Sequence, residues 1–176
     1  RGDIAISWPY SLFVTPDALE EYQLVFAHLY QFKYLERELV LTWQSQQRDR
    51  RQRLGGSEGA LREALLCNRM LRYVNGYLQK VGLRLQEIAE GFCGGLVGSE
   101  TILEANRLHR EFLCSCLDAC FLRSKADAGA RNLVQTSLQS VGELLSTDMK
   151  DPKNEARLSR AERRFENATA ALAKVM

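Results

Sequence analysis

The stretch that decides the fold is TPDALEEYQLVFAHLYQFKYLERELVLTW, from Thr15 to Trp43. Thr15 supplies an N-cap oxygen and Pro16 a first helical residue whose missing N–H costs nothing, so a helix starts here for a stated reason. At 100° per residue, Tyr22, Val25, Phe26, Leu29, Phe32, Val40 and Trp43 gather on one broad stripe, while Glu20, Gln31 and Glu38 fall opposite. No Gly or Pro interrupts the pattern before residue 52, which predicts a helix over about 16–52. At 1.5 Å per residue that is a rod of roughly 50 Å, longer than a compact domain usually holds, and it implies an elongated bundle.

Working outward, Gly55-Gly56-Ser57-Glu58-Gly59, then Gly91 to Ser99, then Ala126 to Gly129 divide segments whose apolar residues recur every three or four positions. Asp151-Pro152 repeats the cap-and-proline start. Further helices are predicted over about 59–90, 99–123, 130–147 and 152–176. Extended signals are confined to Ile4-Ala5-Ile6-Ser7-Trp8 and Leu12-Phe13-Val14. The predicted class is all-α, with about five long helices and no internal repeat.

The second helix carries Met70, Val74, Tyr77, Leu78, Val81, Leu85 and Ile88 on a core stripe. Its other side aligns Arg62, Arg69, Tyr73, Lys80 and Glu87. That side reads either as a solvated charged face or as an interface in which an exposed Tyr73 flanked by cations is the anchor. On the first helix Lys33 and Glu36 interrupt the apolar stripe three residues apart, so they pair with each other or with a neighbouring helix or partner chain. Gly76 and Gly82 each cost up to about 1 kcal/mol in a helix interior and mark a close crossing or a bend.

Composition excludes several functions. With 24 Lys and Arg against 22 Asp and Glu among 176 residues there is no field of one sign to draw in nucleic acid or an anionic membrane. No run approaches the ~20 apolar residues of a membrane span, and no secretory signal opens the chain, which reads as cytosolic. At this length a core suffices for folding, so the five cysteines are not a disulfide framework. Cys114, Cys116 and Cys120 lack zinc spacing, and His109 lies about 10 Å along the axis from Cys116, too far to share one ion. Neither cofactor nor metal is expected.

Catalytic patterns are absent as well: no G-x-S-x-G, H-E-x-x-H, P-loop or dinucleotide fingerprint occurs. His28 falls on the polar side of its helix. His109 is centred among Ile102, Ala105, Phe112, Leu113 and Cys116 and reads as buried and hydrogen-bonded. The run Arg48-Asp49-Arg50-Arg51-Gln52-Arg53 reads as a solvated helix end favoured by the dipole, with no interleaved aromatics for nucleic acid.

Three stretches together carry a resemblance. Ser7-Trp8-Pro9-Tyr10-Ser11-Leu12, followed by Tyr22-Gln23-Leu24-Val25-Phe26 and Leu35-Glu36-Arg37-Glu38-Leu39 with Trp43, is one. Asn68-Arg69-Met70-Leu71-Arg72-Tyr73-Val74 is the second. The third is His109-Arg110-Glu111-Phe112-Leu113 with Cys116-Leu117-Asp118-Ala119-Cys120-Phe121-Leu122. In this order they resemble the C-terminal domain of the gamma-tubulin complex proteins, over residues 3–123 and, more faintly, at Phe165-Glu166-Asn167. Gly76 and Gly82 stand where that family carries larger residues. Its preceding helices and closing segment are missing, as in a domain incomplete at both ends.

The resemblance implies a non-enzymatic scaffold subunit, residues 1–176 being its gamma-tubulin-binding helical domain. It implies hetero-oligomers with other gamma-tubulin complex proteins, at a microtubule organizing center such as a spindle pole or centrosome. Gamma-tubulins held in a ring would then template microtubules. The partner-binding residues it suggests are Trp8 and Pro9 at the entry to the first helix, and Lys33, Glu36, Arg37, Arg69, Tyr73 and Lys80 as polar groups able to meet a partner. Phe26, Trp43, Phe112 and Leu113 are expected in the core. A helical adaptor for some other protein would use the same amphipathic helices.

Overall fold

Thr15 caps the first helix as its position predicts: its Oγ1 accepts from the Ala18 amide at 3.2 Å and its carbonyl from the Leu19 amide at 3.0 Å. In the computed structural model this helix, α1, runs Pro16–Gln52. It is followed by α2 (Glu58–Gly98), α3 (Ile102–Ala119), α4 (Ala128–Leu145) and α5 (Glu155–Leu172). The structure describes residues 14–52, 58–123, 128–146 and 155–174. Every regular element among them is a helix, as the period of three and four requires. The extended segment expected at 4–8 and the Asp151-Pro152 cap lie outside the described residues.

The helices divide into two compact units, Arg1–Leu29 with Lys80–Asp127 and Tyr30–Gln79 with Ala128–Met176. Within the second, the buried positions follow a heptad-like alternation of three and four. They are Phe32, Leu35 and Leu39 on α1; Cys67, Met70, Val74 and Tyr77 on α2; Ala130, Val134, Ser137, Val141 and Leu144 on α4; and Leu158, Ala161, Phe165, Ala168 and Leu172 on α5. This spacing gives a narrow seam, the pattern that packs ridges of one helix into grooves of the next at shallow angles. Phe32 stacks on Tyr77 with ring centroids 4.0 Å apart. Ser137 and Ser140 are wholly buried at no polar cost, because their hydroxyls donate to the Val134 carbonyl at 2.7 Å and the Thr136 carbonyl at 2.9 Å.

The other unit is built on Val81, Ala105, His109, Leu113, Cys116, Leu117 and Cys120. Thr101 caps α3 by accepting from the Glu104 amide at 3.2 Å. The far end of α3 closes in a Schellman pattern: the Phe121 amide donates to the Asp118 carbonyl and the Leu122 amide to the Leu117 carbonyl. The residue at the turning position is Phe121, with φ 58°, where glycine would cost nothing.

Two expectations about α2 are corrected. The glycines of 91–99 do not break α2, which continues to Gly98. A Cβ at Gly95 would stand 3.4 Å from the methyls of Leu108, and Phe92 stacks on Phe112 at 4.7 Å, so contact with α3 holds the segment helical against its propensity. Gly76 and Gly82 mark no close crossing, since a Cβ at either would meet nothing within 4 Å.

The buried stripe of α1 is also rotated from the predicted one. Leu35 and Leu39 are core, while Phe26 is 70% exposed and Trp43 37%. The helix has apolar residues on two sides, so periodicity alone could not choose the inner one. Leu113 is in the core as expected and Phe112 is half-buried.

Candidate functional site

The second apolar side of α1 is a surface. Tyr30 is 62% exposed, Tyr34 50% and Leu41 46%. With Lys33 and Arg37 they fall within about 100° of arc on the helix, opposite Phe32, Leu35 and Leu39. Aromatic and arginine side chains on one exposed helix face form the composition of an interface centre. The Lys33 ammonium donates to Glu36 Oε2 at 2.8 Å, an exposed pair within the helix rather than a buried one. Arg37 extends into solvent, 4.0 Å from Glu38.

Arg69 and Tyr73 do not share that surface. Arg69 is clamped between Glu162 and Glu166 of α5, and Arg62 reaches Glu162 at 2.6 Å and Ser159 at 3.2 Å. Burial disfavours the charge on Arg69, but the two carboxylates outweigh it and raise its pKa. On Glu162 burial likewise opposes charge and the two guanidiniums prevail, holding its carboxyl below the usual value.

Tyr73 is half-buried rather than exposed. Its ring meets Phe165 edge-on at 5.4 Å, and its hydroxyl lies 2.8 Å from Ser137 Oγ. Ser137 spends its single proton on the Val134 carbonyl, so the phenol is the donor. Burial raises the Tyr73 pKa against that hydrogen bond. The face read as solvated, Arg62, Arg69 and Tyr73, thus packs on α5 and α4. A sequence pattern cannot show that α5 places two glutamates opposite two arginines.

Lys80 lies exposed on the part of α2 that belongs to the other unit. Trp8 and Pro9 lie outside the described residues. Of the expected partner-facing residues the fold brings Lys33, Glu36 and Arg37 together. It adds Tyr30, Tyr34 and Leu41, whose spacing of four and seven was the available signal.

In the unit that holds α3, Tyr22 Oη stands 3.0 Å from His109 Nε2, and Phe92 and Phe112 lie beside them. His109 is 7% exposed, in agreement with its reading as a buried, hydrogen-bonded side chain. His28 is not on a polar face: it is half-buried, and burial lowers its pKa to about 4. The cysteines are free thiols. Burial raises Cys67 to about 11, with Glu63 adding to the rise, and Cys120 to about 12, with Cys116 adding. Neither is a nucleophile near neutral pH. Among the described residues no three His, Cys, Asp or Glu converge to hold a metal, and no helix is long and apolar enough to cross a membrane.

These features define an all-α helical bundle with an exposed aromatic and basic face on α1. Residues 3–176 match the family described as Gamma tubulin complex component C-terminal, and the chain belongs to that family. It is 31% identical over 118 residues to Gamma-tubulin complex component 2 of Arabidopsis thaliana, covering 66% of this chain and 17% of that protein. To Gamma-tubulin complex component 2 of Mus musculus it is 28% identical over 124 residues, 68% of this chain and 13% of that protein. To Spindle pole body component alp4 of Schizosaccharomyces pombe it is 27% identical over 123 residues, covering 66% and 16%. The chain therefore spans less than a fifth of the length of these relatives.

Proposed function

We propose that this chain is the gamma-tubulin-binding part of a scaffold subunit. In this reading it forms hetero-oligomers with other gamma-tubulin complex proteins at a microtubule organizing center, makes and breaks no bond, and leaves the nucleotide to its partner. The observation that carries the reading is the family match over nearly the whole chain. The names of the relatives, two gamma-tubulin complex components and a spindle pole body component, support the same setting.

Nucleation then works by geometry. Subunits side by side hold gamma-tubulins at microtubule spacing, so the entropy of the first lateral contacts is lost before assembly begins, and tethering raises the effective concentration of each neighbour. The α1 face of Tyr30, Lys33, Tyr34, Arg37 and Leu41 is the surface assigned to the partner.

Co-purification with gamma-tubulin tests this. The wild-type chain is expected to retain it, and Tyr30→Ala with Tyr34→Ala to lose it while remaining folded and helical. Leu39→Ala, at a wholly buried position, is expected instead to cost about 2–5 kcal/mol of stability. Absence of gamma-tubulin from the folded wild-type pull-down would end the proposal. Undiminished binding by the double variant would move the contact off α1.

A further inference from the structure

The charges of α5 are sorted to its two sides. Glu162 and Glu166 turn toward α2, where Arg62 and Arg69 take them. Arg157, Arg160, Arg163 and Arg164 lie on one exposed arc of about 120° away from them. Arg164 reaches Glu143 of α4 at 3.0 Å. Among the described residues Arg157, Arg160 and Arg163 have no ion pair. They stand three residues apart along the helix, where like charges repel, and among the described residues no fourth side chain neutralises them. Two of the three carboxylates of α5, Glu162 and Glu166, are spent on its other side.

We propose that this row docks a carboxylate-rich segment of another protein. Each guanidinium presents a planar fork that fits a carboxylate at two points, and three in a row at one-turn spacing fit successive acidic side chains of a peptide. The rest of α5 argues against the two other anionic partners. Its single aromatic residue, Phe165, is buried, so the row has no ring on which a base could stack. Leu158, Phe165 and Leu172 are all turned inward, so α5 has no large apolar side chain left to enter a bilayer.

The test is fluorescence anisotropy with a labelled oligoglutamate peptide, at low and at physiological salt. The wild-type chain is expected to bind, and to bind more weakly as salt rises. Arg157→Gln with Arg160→Gln and Arg163→Gln is expected to raise Kd about tenfold or more. A control triple of equal charge, Arg48→Gln with Arg72→Gln and Arg110→Gln, is expected to bind as wild type. All three residues are exposed, and both triples should unfold with the wild type.

Equal weakening by the two triples would reduce the effect to net charge and overturn the proposal. So would absence of binding by the wild type. Tighter, row-dependent binding of a single-stranded oligonucleotide, or of phosphatidylserine vesicles, would assign the row to nucleic acid or to membrane and overturn it as well.

Discussion

The phenol oxygen of Tyr22 and Nε2 of His109 lie 3.0 Å apart, joining α1 to α3 across 87 residues of sequence. The pair is the polar point of an otherwise apolar cluster, with Phe92 and Phe112 beside the imidazole and the phenol. A buried imidazole nitrogen left without its partner keeps its desolvation cost, so the bond matters more broken than made. Burial, with Cys116 adding, raises the Tyr22 pKa and keeps the phenol protonated at neutral pH.

Tyr22→Phe is therefore expected to cost about 1 kcal/mol in urea unfolding, and His109→Ala about 2 kcal/mol or more because packing goes with it. The double variant should cost less than the sum. Strict additivity would mean that the two groups do not interact.

Glu162 accepts from both Arg62 and Arg69 and is the shared acceptor between α2 and α5. Its folded pKa lies below the ordinary 4.5, so its contribution is complete above that value and is lost as pH falls through the lower folded pKa. Glu162→Gln should cost about 1 kcal/mol at pH 7 in low salt and less in high salt. Measured by urea unfolding, the gap between variant and wild type should close as pH falls below the ordinary 4.5 and through the lower folded pKa. A gap that persists there would assign the effect to packing.

His28 titrates near 4 against an ordinary 6.5 because burial penalises its charged form. A lowered folded pKa means that the unfolded chain takes up the proton first. Stability is then constant above about pH 6.5 and falls between 6.5 and 4, by roughly 1 to 3 kcal/mol. Proton NMR of the imidazole should give the low value directly, and His28→Gln should flatten that part of the unfolding profile.

Gly76 and Gly82 sit inside α2 with open space where a Cβ would go. Alanine at either is expected to stabilise the chain by up to about 1 kcal/mol, through lower entropy of the unfolded state and better helix propensity. Differential scanning calorimetry reads this as a higher Tm for each variant. A fall would reveal a contact at these positions.

The core stripe of α2 was legible because Met70, Val74, Tyr77 and Val81 recur every three or four residues, and all four are buried while Leu61, Leu65 and Leu83 on the other side stay exposed. The candidate surface was only partly so. Lys33 and Glu36 stood out as charges in an apolar pattern and Arg37 came from the family resemblance, but Tyr30 and Tyr34 look like core residues until the buried side is known. Arg69 and Tyr73 were read as outward-facing because their partners, Glu162, Glu166, Ser137 and Phe165, lie 64 to 97 residues away or at comparable remove on α4 and α5.

By itself, then, the sequence determined what is local. That includes the all-α class, the capped start at Thr15, the period of three and four, and the family to which the motifs point. The first three depend on residues within a turn or two of one another, and the family on short motifs read in order along the chain. Only the tertiary structure decided which side of a doubly apolar α1 turns inward, that α2 runs on through its glycines, and which arginines of α2 and α5 are neutralised. Those outcomes depend on energies between segments far apart in the chain. A Leu108 methyl against Gly95, or a carboxylate shared by two guanidiniums, exists only once the helices have met.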